Sequence, residues 1–388
     1  MLYLQMYFFV SLIILLFAAY GMLIEYYRRA WNALPSYVLG KTNAERATTK
    51  ISVIIPVRNE QNNIKSLLDC IFEQSYPKNL YQVIVVDDHS TDDTWNLING
   101  LQYAQMDLKC LQLADFTRNL SMSAYKKFAI EIAINNASGD LMVTTDADCR
   151  PSPDWLLVIA SFYETSNAKF IAAPVKIDSG NSFLSIFQTL DFLTLQGITG
   201  ASLFKKIHSM CNGANLAYEK KVFYEVGGFQ GIDNIPSGDD MLLMHKIYRK
   251  YPDQVLFLKN KDAVVSTQPV KSWRGFINQR IRWASKADKY DDKRIFWVLV
   301  LVYTVNLLIA SLVIAAFWDT TYLVLLLVLL LMKTWIEFPF VKSAATFFRQ
   351  QKLMAYFPLM QPLHIVYTIV IGWLGKFGSY EWKGRKIN

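Results

Sequence analysis

Apolar positions along this chain fall into blocks of two kinds. Leu4 to Ile24, LQMYFFVSLIILLFAAYGMLI, holds no charged residue and matches the roughly 20 residues that cross a bilayer core. Further apolar blocks begin at Ile295 (IFWVLVLVYTVNLLIASLVIAAF), run from Tyr322 to Val341, and run from Leu353 to Gly375. Between them the pattern changes. ISVIIP (51–56), QVIVVD (82–87), LKCLQL (108–113) and DLMVTT (140–145) are short β-branched runs of the kind that form buried strands. Helical periodicity separates them near 60–75, 91–104 and 121–137. Strands alternating with helices predict an α/β fold with a parallel, doubly wound sheet, whose ligands bind beyond the carboxyl ends of the strands.

The expected organisation is an N-terminal transmembrane helix (1–27), a linker (28–50), an α/β block (51–270), an amphipathic interfacial helix (271–294), C-terminal transmembrane helices (295–376) and a basic tail (377–388). No basic residue precedes the first apolar run, and the run outlasts the h-region of a cleaved signal, so it reads as a retained anchor. Arg28 and Arg29 follow it and place the α/β block in the cytoplasm. FLSIFQTLDFLTLQGITGASLF (183–204) is also apolar, but Gln188, Asp191 and Gln196 argue against a crossing and for an amphipathic helix resting on the domain or the membrane surface. Pro358 and Pro362 interrupt the last apolar block and point to a re-entrant or interfacial segment, and the tail EWKGRKIN is basic and prefers the cytoplasm. Three crossings after the domain would put that tail outside.

Composition sharpens this reading. Hydrophobic residues make up 53% of the 388, and the formal net charge is +8. That charge suits an anionic membrane face, while no recognisable nucleic-acid module appears, so membrane lipids and not nucleic acid are the expected partners. The four cysteines form no CxxC pair, which argues against zinc and fits a reducing compartment. The apolar segments carry few charges to mark a polar path, which argues against a transporter.

Candidate chemistry gathers at the strand ends. VTTDADCR (143–150) carries Asp146 and Asp148 one residue apart, a donor pair that suits a divalent ion sharing its remaining positions with substrate phosphates. The plain alternative is that both acids cap the helix starting near Pro153. Asp87 and Asp88 close the second strand and Glu60 follows the first, in PVRNE. A carboxylate in such a place can accept from a ribose hydroxyl or a base N–H. Asp92 and Asp93 read as ordinary acids of a helix N-terminus. Gly238, Asp239 and Asp240 open a helix, where an acid is either a cap or a general base. In KSWRGFINQRIRWASKADKY (271–290), Gln279, Arg282 and Trp283 share one helix face, and Arg280 and Arg282 suit phosphate oxygens. A basic, aromatic interfacial helix would have the same composition.

The ordered set SVIIPVRNE, VIVVDDHSTDDT, TTDADC, SGDD and QRIRW resembles the membrane-integrated branch of the inverting family 2 glycosyltransferases with a GT-A fold. That branch includes ceramide glucosyltransferase and the cellulose, chitin, hyaluronan and poly-N-acetylglucosamine synthases. The resemblance covers about residues 50 to 290 and the surrounding membrane segments. It implies a UDP-sugar donor, a lipid or glycan acceptor, and Mg²⁺ or Mn²⁺ as cofactor, on the cytoplasmic side of a bacterial inner membrane. By the same resemblance Pro56, Glu60, Asp87, Asp88, Lys126, Asp146, Arg280 and Arg282 bind the donor, with Lys127 the less favoured register for the family lysine. Asp146 and Asp148 hold the metal, and Asp240 is the catalytic base. Asp239, Gln279 and Trp283 serve the acceptor, Asp239 standing where many members carry glutamate. CNGANLAY (211–218) resembles the segment lining the acceptor site. The short membrane region favours single transfer to a lipid. A processive polysaccharide synthase is the first alternative, and a non-catalytic nucleotide-sugar-binding scaffold the second.

Overall fold

A computed structural model describes residues 2–40, 48–101, 106–117, 124–208, 210–286, 292–382 and 385–387 of the chain. Helix α1 (Leu2–Ala33) outruns the apolar segment that predicts it. It carries Arg28 and Arg29 inside its last turns, where both pair with Glu25 at 2.6 and 2.7 Å. The linker therefore starts after Ala33 rather than at residue 28, because spacings of three and four residues let these charges satisfy one another on the helix surface. Its part 41–47 lies outside the described residues.

The α/β pattern follows as read: β1 (Ile51–Val57), α2 (Ile64–Phe72), β2 (Tyr81–Asp87), α3 (Thr94–Gly100), β3 (Leu108–Gln112), α4 (Tyr125–Asn135) and β4 (Leu141–Thr144). The predicted helical positions 102–104 and 121–123 lie outside the described residues. Strands β1, β2 and β4 are buried on both faces, which is why they read as unbroken β-branched runs. Next come β5 (Cys149–Pro151), α5 (Trp155–Thr165), β6 (Phe170–Ala172), β7 (Val175–Ile177), α6 (Phe183–Lys205), β8 (Leu216–Glu219), α7 (Lys220–Glu225), α8 (Asp239–Lys250), β9 (Val255–Phe257), β10 (Val265–Thr267) and α9 (Trp273–Ala284). The main sheet has the order β3-β2-β1-β4-β8-β6-β9. It is parallel from β3 to β4 and again between β6 and β9, with β8 antiparallel to both its neighbours. Leu216 opposite Thr144 shows the cause: β8 enters the sheet at the carboxyl end of β4. The loop before β8 is thereby placed at the crevice. A small second sheet, β5-β10-β7, seats Thr267 opposite Cys149.

Three long helices complete the chain: α10 (Lys293–Ala315), α11 (Thr321–Phe347) and α12 (Phe357–Phe377), with a hairpin β11 (Tyr380–Trp382) and β12 (Arg385–Ile387). Among the described residues four helices are long and apolar enough to cross a membrane: α1 over Phe9–Ala33, α10, α11 and α12. Helix α6 packs on β7 and β9 of the domain, one of the two placements expected, but most of its residues are buried on all sides, so it is no surface helix. A side chain at Gly200 would meet the Trp31 ring of α1 at 2.7 Å, and one at Gly197 would meet Phe340 of α11 at 3.0 Å. The polar residues that argued against a crossing are satisfied from the domain. Gln188 exchanges hydrogen bonds with the backbone of Val270, and Gln196 Oε1 accepts from the Val175 N–H.

The long apolar helices carry few charges, as the sequence reading has it, but one pair among them is buried. Lys333 and Glu337 of α11 are buried and paired at 2.7 Å.

Candidate functional site

Register decides which side chains meet. Val57 lies opposite Asp87, and Ile54 opposite Thr144, so the residues after β1, β2 and β4 emerge along one edge. A cavity of about 1080 Å³ opens there. Pro56, Glu60, Asp88, Lys126, Asp146 and Asp148 line its upper part. Asp239, Asp240, Gln279, Arg282 and Trp283 line the middle. It then continues between the long helices to Gln361 and His364.

Asp87 is the predicted residue missing from that wall. Successive strand residues face opposite ways, so Asp88 reaches the crevice while Asp87 turns into the domain. There its Oδ2 accepts from the Ser90 N–H at 3.2 Å, and burial raises its carboxyl above the ordinary value. Asp88 is held by His89 Nδ1 at 3.0 Å and by Arg58 at 4.0 Å. Arg58 also donates to the carbonyls of Asp88 and His89. Arg58 escaped the sequence reading although it stands inside PVRNE. Asp92 behaves as a helix-terminal acid, accepting from the Thr94 N–H at 3.0 Å.

Asp146 and Asp148 do not cap a helix. They precede β5, and α5 begins only at Trp155. Lys126 Nζ sits 2.8 Å from Asp146 Oδ1 and 3.3 Å from Asp239 Oδ2, and so ties the first acidic pair to the second. Burial alone would lower its pKa, but Asp146 and Asp239 hold it above the ordinary lysine value. Lys127 points elsewhere: its ammonium donates to the carbonyls of Ile232, Ile235 and Ser237 and pins the segment leading into α8.

No three His, Cys, Asp or Glu side chains cluster around a metal position among the described residues. The donor set at the crevice is Asp146 and Asp148, with the Thr267 hydroxyl 3.3 Å from Asp148 Oδ2. Two carboxylates beside a space large enough for phosphates fit Mg²⁺ or Mn²⁺, which take the rest of their oxygens from phosphate and water.

Asp239 and Asp240 form the first turn of α8 behind Gly238, whose φ of +78° suits glycine. The Gly213 N–H donates to Asp240 Oδ2 at 3.0 Å and the Met241 N–H to Oδ1 at 2.7 Å, so the carboxylate is fixed at the cavity wall. Burial would raise Asp239, but Lys126 and Lys286 prevail and lower it. Lys286 is buried near both acids, and burial lowers its pKa. It lies four residues beyond Arg282, just past the end of α9 at Ala284.

Arg280 departs from its expected role. It lines the cavity but is buried against Asp191 of α6, with Nη2 2.9 Å from Oδ2. Its guanidinium packs over Trp283 at 4.1 Å and Phe276 at 4.9 Å. The pair with Asp191 anchors α9 to α6, and the guanidinium sets the Trp283 ring; Arg282 lines the cavity as well.

The chain matches Glycosyl transferase family 2 over residues 52–227 and Glycosyl transferase family group 2 over residues 141–373. It is 24% identical over 239 residues to the probable glycosyltransferase YdaM of Bacillus subtilis, a match spanning 61% of this chain and 54% of that one. It is 28% identical over 260 residues to glycosyltransferase AglE of Haloferax volcanii, covering 64% of this chain and 80% of that one. The matched stretch is thus about half of YdaM's length. Among solved structures, mannosyltransferase PcManGT of Pyrobaculum calidifontis superposes with a TM-score of 0.57 at 21% identity, over 91% of this chain and 99% of that one. With one family match alone taking in more than half its length, the chain belongs to glycosyl transferase family group 2 and is a glycosyltransferase of GT-A fold.

Proposed function

We propose that the protein transfers one sugar from a UDP-sugar to a hydroxyl of a membrane lipid, with inversion at the anomeric carbon. The observation that carries this reading is the single cavity running from the carboxylates at the strand ends, past Asp240, into the layer of long apolar helices. A donor from water and an acceptor from the bilayer would meet in it beside the same carboxylate. PcManGT was solved in complex with GDP-Man and Mn²⁺, which supports a nucleotide sugar and a divalent ion here. Two relatives similar over 27% of this chain are named for lipid-linked substrates, dolichyl N-acetyl-α-D-glucosaminyl phosphate in Methanococcus voltae and undecaprenyl phosphate in Serratia proteamaculans, which supports a lipid acceptor.

In this mechanism Glu60 and Asp88 hold the nucleoside by its hydroxyls and base. Lys126, Arg282 and Lys286 bring positive charge to the diphosphate, so the leaving group departs with its charge compensated. Asp148, with Asp146, would hold the divalent ion, which supplies further charge neutralisation at the diphosphate when bound. Asp240, oriented by the Gly213 N–H, takes the proton of the acceptor hydroxyl as that oxygen attacks. Trp283 offers a flat face on which the acceptor rests.

The test is to incubate purified protein in nanodiscs of native lipid with radiolabelled UDP-glucose, UDP-galactose, UDP-N-acetylglucosamine and GDP-mannose, then extract the products. A lipid-soluble product of one defined mass is expected, from a uridine donor. A ladder of masses in a water-soluble polysaccharide would establish the processive alternative instead. Donor binding with no sugar released or transferred would leave only a scaffold.

A further inference from the structure

Below Trp283 the cavity enters a layer where apolar walls give way to an ionisable cluster. Glu337 of α11 is met by Lys333 at 2.7 Å, by Gln361 Nε2 of α12 at 2.6 Å, and by the hydroxyl of Tyr20 from α1. Lys333 also donates to Gln361 Oε1 at 2.7 Å. Tyr20, Glu337, Gln361 and His364 line the cavity. Tyr20 lies 11 residues before Trp31, whose carbonyl accepts from Lys259 of the domain. Tyr20 is therefore roughly 16 Å along α1 from that anchor at 1.5 Å per residue, while His364 at the other side of the cluster lies 3.9 Å from Asp191, the partner of Arg280.

Nothing in the sugar-transfer centre accounts for this cluster. Apolar residues of equal size would hold three helices together at least as well as a buried ion pair, and ionisable groups at such a depth mark a functional path by default. A second observation points to a ligand. His364 Nδ1 is buried without a hydrogen-bond partner, on a residue that lines the cavity. With His364 as a neutral imidazole the charges are balanced: Lys333 faces Glu337 and Arg280 faces Asp191 at 2.9 Å, while His364 Nε2 lies 3.9 Å from that same Asp191. A phosphate head group would need a cation not already matched by a carboxylate. A neutral head group needs donors and acceptors, and the cluster supplies both.

We propose that Glu337, Gln361 and His364 form the head-group subsite of the acceptor, and that the acceptor is a neutral lipid bearing hydroxyl or amide groups. The lipid's reactive hydroxyl points up the cavity to Asp240, and its chains leave along Phe296, Leu299 and Tyr303 of α10, which form the apolar wall. This rests on the lipid-acceptor reading above.

The experiment uses the full chain in phosphatidylcholine nanodiscs doped with a diacylglycerol, a ceramide or undecaprenyl phosphate, and compares wild type with Glu337→Gln and Gln361→Leu. Gln361→Leu leaves the Lys333–Glu337 pair in place and decides the matter should Glu337→Gln fail to fold. Labelling of a neutral lipid is expected, with its KM raised about tenfold or more in the variants and UDP affinity by calorimetry unchanged. Labelling of undecaprenyl phosphate alone, or an unchanged lipid KM in folded Gln361→Leu, overturns the subsite while the glycolipid reading survives. A water-soluble polysaccharide with no labelled lipid overturns both.

Discussion

Asp239 and Asp240 are neighbours in sequence with different electrical surroundings. Asp240 accepts two backbone N–H bonds, from Gly213 and Met241, at the cavity wall. Asn at 240 keeps an oxygen for one of those donors and loses the base. Asp240→Asn should lower turnover by about 10²–10⁴, the usual worth of a positioned base, with UDP binding by calorimetry preserved; near-normal turnover would remove Asp240 from the mechanism. Asp239 is different because lysines dominate it. Burial pushes its carboxyl up, yet Lys126 and Lys286 bring it below the ordinary value. A carboxyl lowered by folding contributes stability that is complete above the unfolded value of about 3.9 and fades as pH falls through the lower folded one. Melting temperature should therefore drop as pH falls below about 4, and the drop should be shallower in Asp239→Asn. Equal acid slopes in the two proteins would show that the lysines do not govern this carboxyl.

At the level of helices, the placement of α9 controls the crevice. Its Phe276 stacks on Tyr367 of α12 at 5.4 Å, and its Ala284 approaches Gly375 so closely that a side chain there would lie 2.5 Å from it. The Arg280–Asp191 pair fastens the same helix to α6. Removing one partner of a buried pair leaves an uncompensated charge, at a cost of about 3–5 kcal/mol. Arg280→Met should lower thermal stability on that scale and raise donor KM only secondarily, through Trp283. A raised donor KM at unchanged melting temperature would return Arg280 to the diphosphate.

For the molecule in its membrane, the course of α12 matters most. Tyr367, Ile371 and Gly375 meet Phe276, Ile281 and Ala284 in turn, so α12 runs alongside α9 in the same direction. The turn before it is tied to the domain, with Gln350 Nε2 donating to the Ile177 carbonyl at 3.0 Å, and β11 after it sits beside α9. Both ends of α12 thus stay near the domain, despite a length and hydropathy sufficient to cross. With α12 held at the domain, α1, α10 and α11 are the expected crossings, and the basic tail is expected on the domain side. A single cysteine added at the C-terminus should label in inverted vesicles and not in intact cells. Labelling in intact cells would make α12 a full crossing.

How much of this was legible varied with distance along the chain. The β-branched runs fixed β1, β2 and β4, because a strand buried on both faces admits little else. The residues after those strands were bound to meet, since parallel strands share one carboxyl edge. The family resemblance preferred Lys126 to Lys127 without a reason for it; in the structure Lys126 spans two acidic pairs while Lys127 holds three carbonyls. Asp87 was misplaced because its strand ends one residue before the crevice begins. What no local pattern held was pairing between distant faces. Asp191 and Arg280 are 89 positions apart, and Tyr20 and Glu337 are 317 apart. Periodicity determines which side of a helix is apolar, but a buried charge is tolerable only where its partner arrives, and only tertiary packing brings the partner there.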